Sequence, residues 1–244
     1  MPADIWKHLV VEIAGYLKRG DDKSRFMHWP PIEWTMVAGP GVIASLEDEH
    51  VARTRPDLPS RVGESWVGDP PRSLRFPMTS CNMIRMIYHL GRYLDWMGAS
   101  PAVAPLNQWA SILEYGGGFG AMHYLARKLG FVGSYVSFDL PILIELQTWY
   151  LRHSLGRTYE LCTDLAAVKQ PALVIATSSL AEALPAEQDA FFAWPAVRAT
   201  NYFLITDYGS LPGAVSRPAL CWERLAVPHP SGNQYLFARP REDP

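Results

Sequence analysis

The chain has 244 residues, 48% of them hydrophobic and 19% charged, enough to bury one substantial core, so one catalytic domain with an N-terminal extension is expected. A net charge of −2 without any cluster of Lys and Arg lacks the electrostatic footprint of a nucleic-acid binder. No uncharged apolar stretch reaches membrane-span length, the first residues lack a signal-peptide layout, and three scattered cysteines (Cys81, Cys162, Cys221) argue against a disulfide framework or zinc site, so a cytoplasmic protein with buried thiols, no membrane partner and no metal is expected.

Ile5 to Lys18 carries apolar residues at helical spacing (Ile5, Leu9, Ile13, Tyr16, Leu17) and predicts an amphipathic helix that packs as a lid or serves as a homodimer contact. From Arg25 to Pro77 the chain is dense in Pro, Gly and Trp, which predicts an irregular cover. Within it, His28 and Trp29, with Trp34 and Trp66, are candidates for a substrate-binding wall, and Arg72 or Arg75 for a phosphate clamp. The acidic run Glu47 to His50 reads as a solvated face. Ser80 to Met97 predicts a helix capped by Thr79 or Ser80, with Ile84, Ile87, Tyr88, Leu90 and Leu94 as its apolar face and Asn82 and Arg85 as candidate acceptor contacts.

Ser111-Ile-Leu-Glu-Tyr-Gly-Gly-Gly-Phe-Gly120 is a short apolar run ending in an acid and four glycines, the pattern of a buried strand turning sharply into a helix, Ala121 to Leu129. Ser134 to Asp139 predicts the next parallel strand, and Asp139 falls where a ribose diol would be bound. Gly116, Gly118 and Ala121 satisfy a dinucleotide pattern, while Glu114, Gly116, Gly118 and Gly120 satisfy E-x-G-x-G-x-G. Charge favours the second: a carboxylate two residues before the first glycine repels a pyrophosphate and attracts the ammonium and sulfonium of S-adenosylmethionine. His123, one turn into the helix, is expected to face solvent.

Leu143 to Leu155 predicts a crossover helix closed by Gly156, with His153 remote near its end; Thr158 to Leu161 predicts a third strand running into Cys162-Thr-Asp164. Ala172 to Thr177 and Asn201 to Asp207 are the fourth and fifth strands, and Trp222 to Val227 with Gln234 to Arg239 suit a terminal hairpin. The fold class is therefore α/β: a Rossmann-like, doubly wound, mostly parallel seven-stranded sheet with a terminal antiparallel hairpin.

Ile112 to Gly120, followed by Val136-Ser-Phe-Asp-Leu-Pro141, resembles class I S-adenosylmethionine-dependent methyltransferases. With Ser80 to Arg92 and Ser178-Ser-Leu-Ala-Glu182, it looks closest to the sugar O-methyltransferase family. The resemblance covers roughly residues 76 to 240, which places a domain boundary at 75, with residues 1–75 as the N-terminal extension and 76–244 as the catalytic domain. It implies that Glu114, Gly116, Gly117, Gly118 and Gly120 form the cofactor turn, that Asp139 holds the ribose hydroxyls, that Leu140 flanks the adenine, and that Thr163 and Asp164 reach its amino group. Asp164 reads equally as a helix N-cap. Ser178 stands where relatives carry a histidine, which leaves the general base open among Glu182, His229 and Asp207. The expected partner is a small-molecule acceptor bearing a sugar. Rival readings are another natural-product hydroxyl as acceptor, a non-catalytic cofactor-binding subunit, and a nicotinamide-dependent oxidoreductase.

Overall fold

The computed structural model describes residues 5–98, 104–207, 220–226 and 234–241. His229 lies outside them, as does the side chain of Asp207. Five helices come first: α1 (Ile5–Arg19), α2 (Pro30–Met36), α3 (Val42–Thr54), α4 (Leu58–Val62) and α5 (Cys81–Trp96). Then follow β1 (Ser111–Tyr115), α6 (Ala121–Lys128), β2 (Ser134–Phe138), α7 (Pro141–Leu155), β3 (Leu161–Cys162) and β4 (Leu173–Thr177). Three short helices, α8 (Ser179–Glu182), α9 (Pro185–Ala193) and α10 (Pro195–Arg198), lead to β5 (Tyr202–Asp207), β6 (Leu220–Ala226) and β7 (Gln234–Pro240).

The strands form one sheet in the order β3-β2-β1-β4-β5-β7-β6. The first five pair in parallel, and β7 runs antiparallel to both β5 and β6. This is the expected doubly wound sheet with its terminal hairpin. The parallel strands read as continuous apolar runs because both faces are buried. Ile112, Tyr135, Leu173, Ile175, Leu204 and Phe237 pack against α5, α6 and α7 on one face. Leu113, Val136, Val174, Phe203 and Ile205 pack against Leu180, Phe191 and Val197 on the other.

The stretch from 25 to 77 is more regular than its composition suggests. Prolines occupy the first or second helical position of α2 and α4, within the first turn, where a missing N–H costs nothing, so these prolines mark helix starts rather than loops. The segment also belongs to the main core: Phe26 meets Phe119, Trp149 and Tyr150 edge-on at centroid distances of 5.4, 6.1 and 6.0 Å. The acidic run is not a solvated face. Glu47 and Asp48 are buried, Glu47 paired with the Arg85 guanidinium at 3.2 Å and Asp48 accepting from the Ser73 hydroxyl at 2.9 Å, because α3 packs along α5.

Helix α5 begins where expected, with the Ser80 hydroxyl accepting from the Met83 N–H at 3.0 Å, and all five predicted apolar residues are buried. The third strand is shorter than expected, confined to Leu161–Cys162, with the Glu160 carbonyl accepting from the Ser137 N–H at its entry. All three cysteines are free, but only Cys81 is fully buried, and Cys221 is exposed on β6 at the sheet edge. Among the described residues no helix is long and apolar enough to cross a membrane.

Candidate cofactor and acceptor cleft

At the carboxyl ends of β1, β2 and β4 the chain leaves a cleft of about 1480 Å³. Its floor is the glycine turn. Gly116, Gly118 and Gly120 all have positive φ (70°, 58° and 99°), which L side chains adopt only with strain. Gly116 is further constrained by space, since a Cβ there would lie 2.2 Å from Cβ of Ser179. Phe119, between Gly118 and Gly120, is buried against Phe26 and Tyr150 and anchors the turn to the core.

Asp139 organises this turn. One carboxylate oxygen accepts from the Gly118 N–H at 2.8 Å and the Gln147 side-chain amide at 3.2 Å, and the other from the Leu140 N–H at 2.7 Å. An ionised carboxylate offers about four acceptor positions, so one remains for a ligand hydroxyl. Burial pushes the Asp139 pKa up to about 7, against these hydrogen bonds, which lower it. Glu114 lies beneath the turn, where a Cβ on Gly117 would stand 3.0 Å from its carboxylate oxygen. It accepts from the Tyr135 hydroxyl at 3.0 Å and the Ser137 hydroxyl at 3.3 Å, and burial raises its pKa to about 7.

Two loop donors that an anion would need are already engaged, Gly118 N–H by Asp139 and Gly120 N–H by the Gly117 carbonyl at 2.8 Å. Those two N–H groups are thus withheld from an anion, and the carboxylates of Glu114 and Asp139 line the cleft beside them. His123 does not face solvent: its ring is buried and stacks on Tyr135 at 4.1 Å, because α6 lies flat on the sheet. Burial and the Arg127 charge hold it well below its usual pKa, hence neutral.

Glu114, Gly116, Gly117, Gly118, Asp139, Leu140, Thr163, Asp164, Ser178, Glu182, Asn82 and Arg85 all line the cleft, whereas Gly120 stands behind it as the N-cap of α6. Asp164 uses its carboxylate as an N-cap, accepting from the Ala166 N–H at 2.8 Å. Ser178 sits at positive φ (68°) at the end of β4, its N–H donating to the Thr206 hydroxyl at 2.7 Å. Asp207 ends β5 opposite Gln234.

The proposed wall of His28, Trp29, Trp34 and Trp66 is not assembled. His28 pairs with Asp69 at 3.0 Å on the surface, and Trp29 is buried in a stack with Tyr16 at 5.0 Å. Trp66 lies under the Arg72 guanidinium, and neither these two nor Arg75 line the cleft. Only Trp34 of the four does, with most of its surface exposed. Aromatic density alone does not tell which tryptophans fill the core.

Several lining residues are not among the site candidates read from the sequence. Trp6 on α1 reaches over the cleft, its indole N–H donating to Glu182 at 3.0 Å, and burial raises the Glu182 pKa. Glu47, Met36 and Ser179 also line it. So does His89, on the α5 face that presents Asn82, Arg85 and Met86. The spacing of 82, 85, 86 and 89 was the available signal, since these positions share one side of a helix.

No family model matches the chain, and no curated protein matches it. Among solved structures it is similar to the ribosomal protein L11 methylase of Lactobacillus delbrueckii subsp. bulgaricus, with 14% identity over 65% of this chain and 80% of that one and a TM-score of 0.44. It is also similar to the magnesium protoporphyrin IX methyltransferase of Synechocystis PCC 6803 with bound SAM, with 12% identity over 84% of this chain and all (100%) of that one and a TM-score of 0.45. At such identities the chemistry has to be read from this chain's own side chains.

Proposed function

We propose that the chain is an S-adenosylmethionine-dependent O-methyltransferase acting on a hydroxyl of a sugar or sugar-bearing small molecule. The observation that carries the donor assignment is the glycine turn in which the Gly118 and Gly120 N–H groups are spent internally while Glu114 and Asp139 line the cleft beside it. A pyrophosphate needs donors there; a ligand with an ammonium, a sulfonium and a ribose needs carboxylates and room. The residues fit such a donor: Gly116 to Gly118 clear the floor, Asp139 keeps one acceptor position for a ribose hydroxyl, Leu140 would flank the adenine, and Thr163 and Asp164 would reach its amino group. When bound, the donor supplies an electrophilic methyl group.

The chain's own contribution is to hold the acceptor oxygen in line with that methyl group and to exclude water, the positioning that accounts for most of the acceleration in such displacements. Residues before 76 act in this reading as the acceptor cover, with Trp6, Trp34, Met36 and Glu47 lining the cleft. Asn82, Arg85 and Glu182 give the cleft polar groups that suit a polyhydroxylated ring, and Trp34 offers it a flat apolar face.

Calorimetric titration with S-adenosylhomocysteine, with NADH in parallel, tests the donor assignment. Binding of the homocysteine product alone is expected; binding of NADH alone would overturn the reading. Radiolabelled donor with methyl and nitrophenyl glycosides, set against non-sugar phenols, then tests the acceptor class.

A further inference from the structure

We propose that His89, oriented by Tyr235, is the base that takes the proton from the acceptor hydroxyl, an inference that rests on the methyl-transfer reading of the cleft. His89 is the one histidine that lines the cleft among the described residues. Its Nδ1 lies 2.7 Å from the Tyr235 hydroxyl, and both side chains are buried. Tyr235 also hydrogen-bonds Tyr88, and the charges of Arg92 and Glu47 act on that pair. With the Tyr235 hydrogen given to Tyr88, its oxygen accepts from Nδ1–H, which puts the basic lone pair of His89 on Nε2.

Strand register places this pair at the acceptor end. Glu114 is level with Ile175, two residues before Thr177, and Thr177, Thr206 and Tyr235 form one row across β4, β5 and β7. Tyr235 is thus level with the start of the glycine turn and three strand spacings from it, roughly 14 Å. Asp139 and the glycines occupy the β2 and β1 side, while His89 sits with Tyr235 on the β7 side beyond β4. Glu182, the sequence-derived candidate, instead accepts from Trp6 and helps to seat α1.

In the step, the acceptor O–H bond breaks and its proton goes to Nε2. The oxygen electron pair forms the new O–C bond to the methyl carbon of the sulfonium donor, the C–S pair returns to sulfur, and His89 later releases its proton to water. A positioned base of this kind contributes typically about 10²- to 10⁴-fold.

The test uses the full chain with ¹⁵N-labelled histidine, saturated with S-adenosylhomocysteine. Long-range ¹H–¹⁵N spectra should show neutral His89 protonated on Nδ1, and Tyr235→Phe should shift it towards the Nε2–H tautomer. An Nε2–H tautomer in the unmutated chain overturns the inference whether or not the donor binds. With methyl and nitrophenyl glycosides, His89→Gln should lower turnover by about 10²-fold or more, with homocysteine-product affinity kept within about twofold. Tyr235→Phe should lower turnover less and shift its pH profile. Turnover of His89→Gln above a tenth of the unmutated rate overturns the inference. Failure of the homocysteine product to bind overturns the donor reading instead.

Discussion

Gly116→Ala should weaken both the fold and the cofactor turn, by two separable routes. At φ 70° an L side chain is strained by about 1–2 kcal/mol, and the added Cβ would meet Cβ of Ser179 at 2.2 Å and its Oγ at 2.6 Å. Overpacking of this kind costs typically about 1–3 kcal/mol, so the single change should cost about 2–5 kcal/mol. Ser179→Gly removes both contacts and leaves its Cα 3.6 Å away, an ordinary contact. It also removes the Ser179 hydroxyl bond to the Tyr115 carbonyl, worth about 0.5–1.5 kcal/mol. A double-mutant cycle by urea unfolding should therefore show the double variant more stable than additivity allows by at least about 1 kcal/mol. Affinity for the homocysteine product, measured by calorimetry, should fall in Gly116→Ala and recover in part in the double variant. A Gly116→Ala chain within about 0.5 kcal/mol of the original, or a cycle without coupling, would refute the account of the turn.

Asp139→Asn keeps the shape but places an amide among three N–H donors, so homocysteine-product affinity should fall about tenfold or more; because the carboxylate also ties the turn together, the melting temperature should fall too, and an unchanged value for both sinks the role given to this residue. Glu114, Asp139 and Glu64 all have folded-state pKa values raised by burial to about 7. Their favourable contribution is complete below the unfolded carboxylate range and is lost as pH rises through 7, so urea midpoints should decline from pH 5 to pH 8. A cationic donor favours the charged carboxylates, so its binding near pH 7 should release protons, seen as a dependence of the calorimetric heat on buffer ionisation enthalpy. His28→Ala, outside the cleft, should leave homocysteine-product affinity unchanged; a loss would restore the tryptophan-rich wall.

The parts legible in the sequence are those governed by local chemistry. Four glycines after Ile112-Leu-Glu114, an acid after the next apolar run and Ser80 before a periodic helix each announce a backbone geometry that few other residues permit. The segment from 25 to 77 was opaque because proline reads alike at a helix start and in a loop, and only the packed neighbours decide between them. His123 and Glu47 were misplaced for a related reason. Burial of a polar side chain depends on its partner, and Tyr135 and Arg85 are 12 and 38 residues away in sequence. Within the site, local pattern located the turn and Asp139, whereas Trp6 and His89 enter the cleft through contacts with Glu182 and Tyr235.

Those long separations have a consequence for synthesis on the ribosome. Phe26 cannot be sheltered until Phe119, Trp149 and Tyr150 have emerged, and Trp6 waits for Glu182, 176 residues later. The earliest helices leave the exit tunnel with apolar faces that only their own neighbours cover in part, while the parallel strands pair only after their crossovers are complete. A nascent chain stalled before α7 would thus carry Phe26 without Trp149 and Tyr150 to cover it, and this is a surface a chaperone would hold.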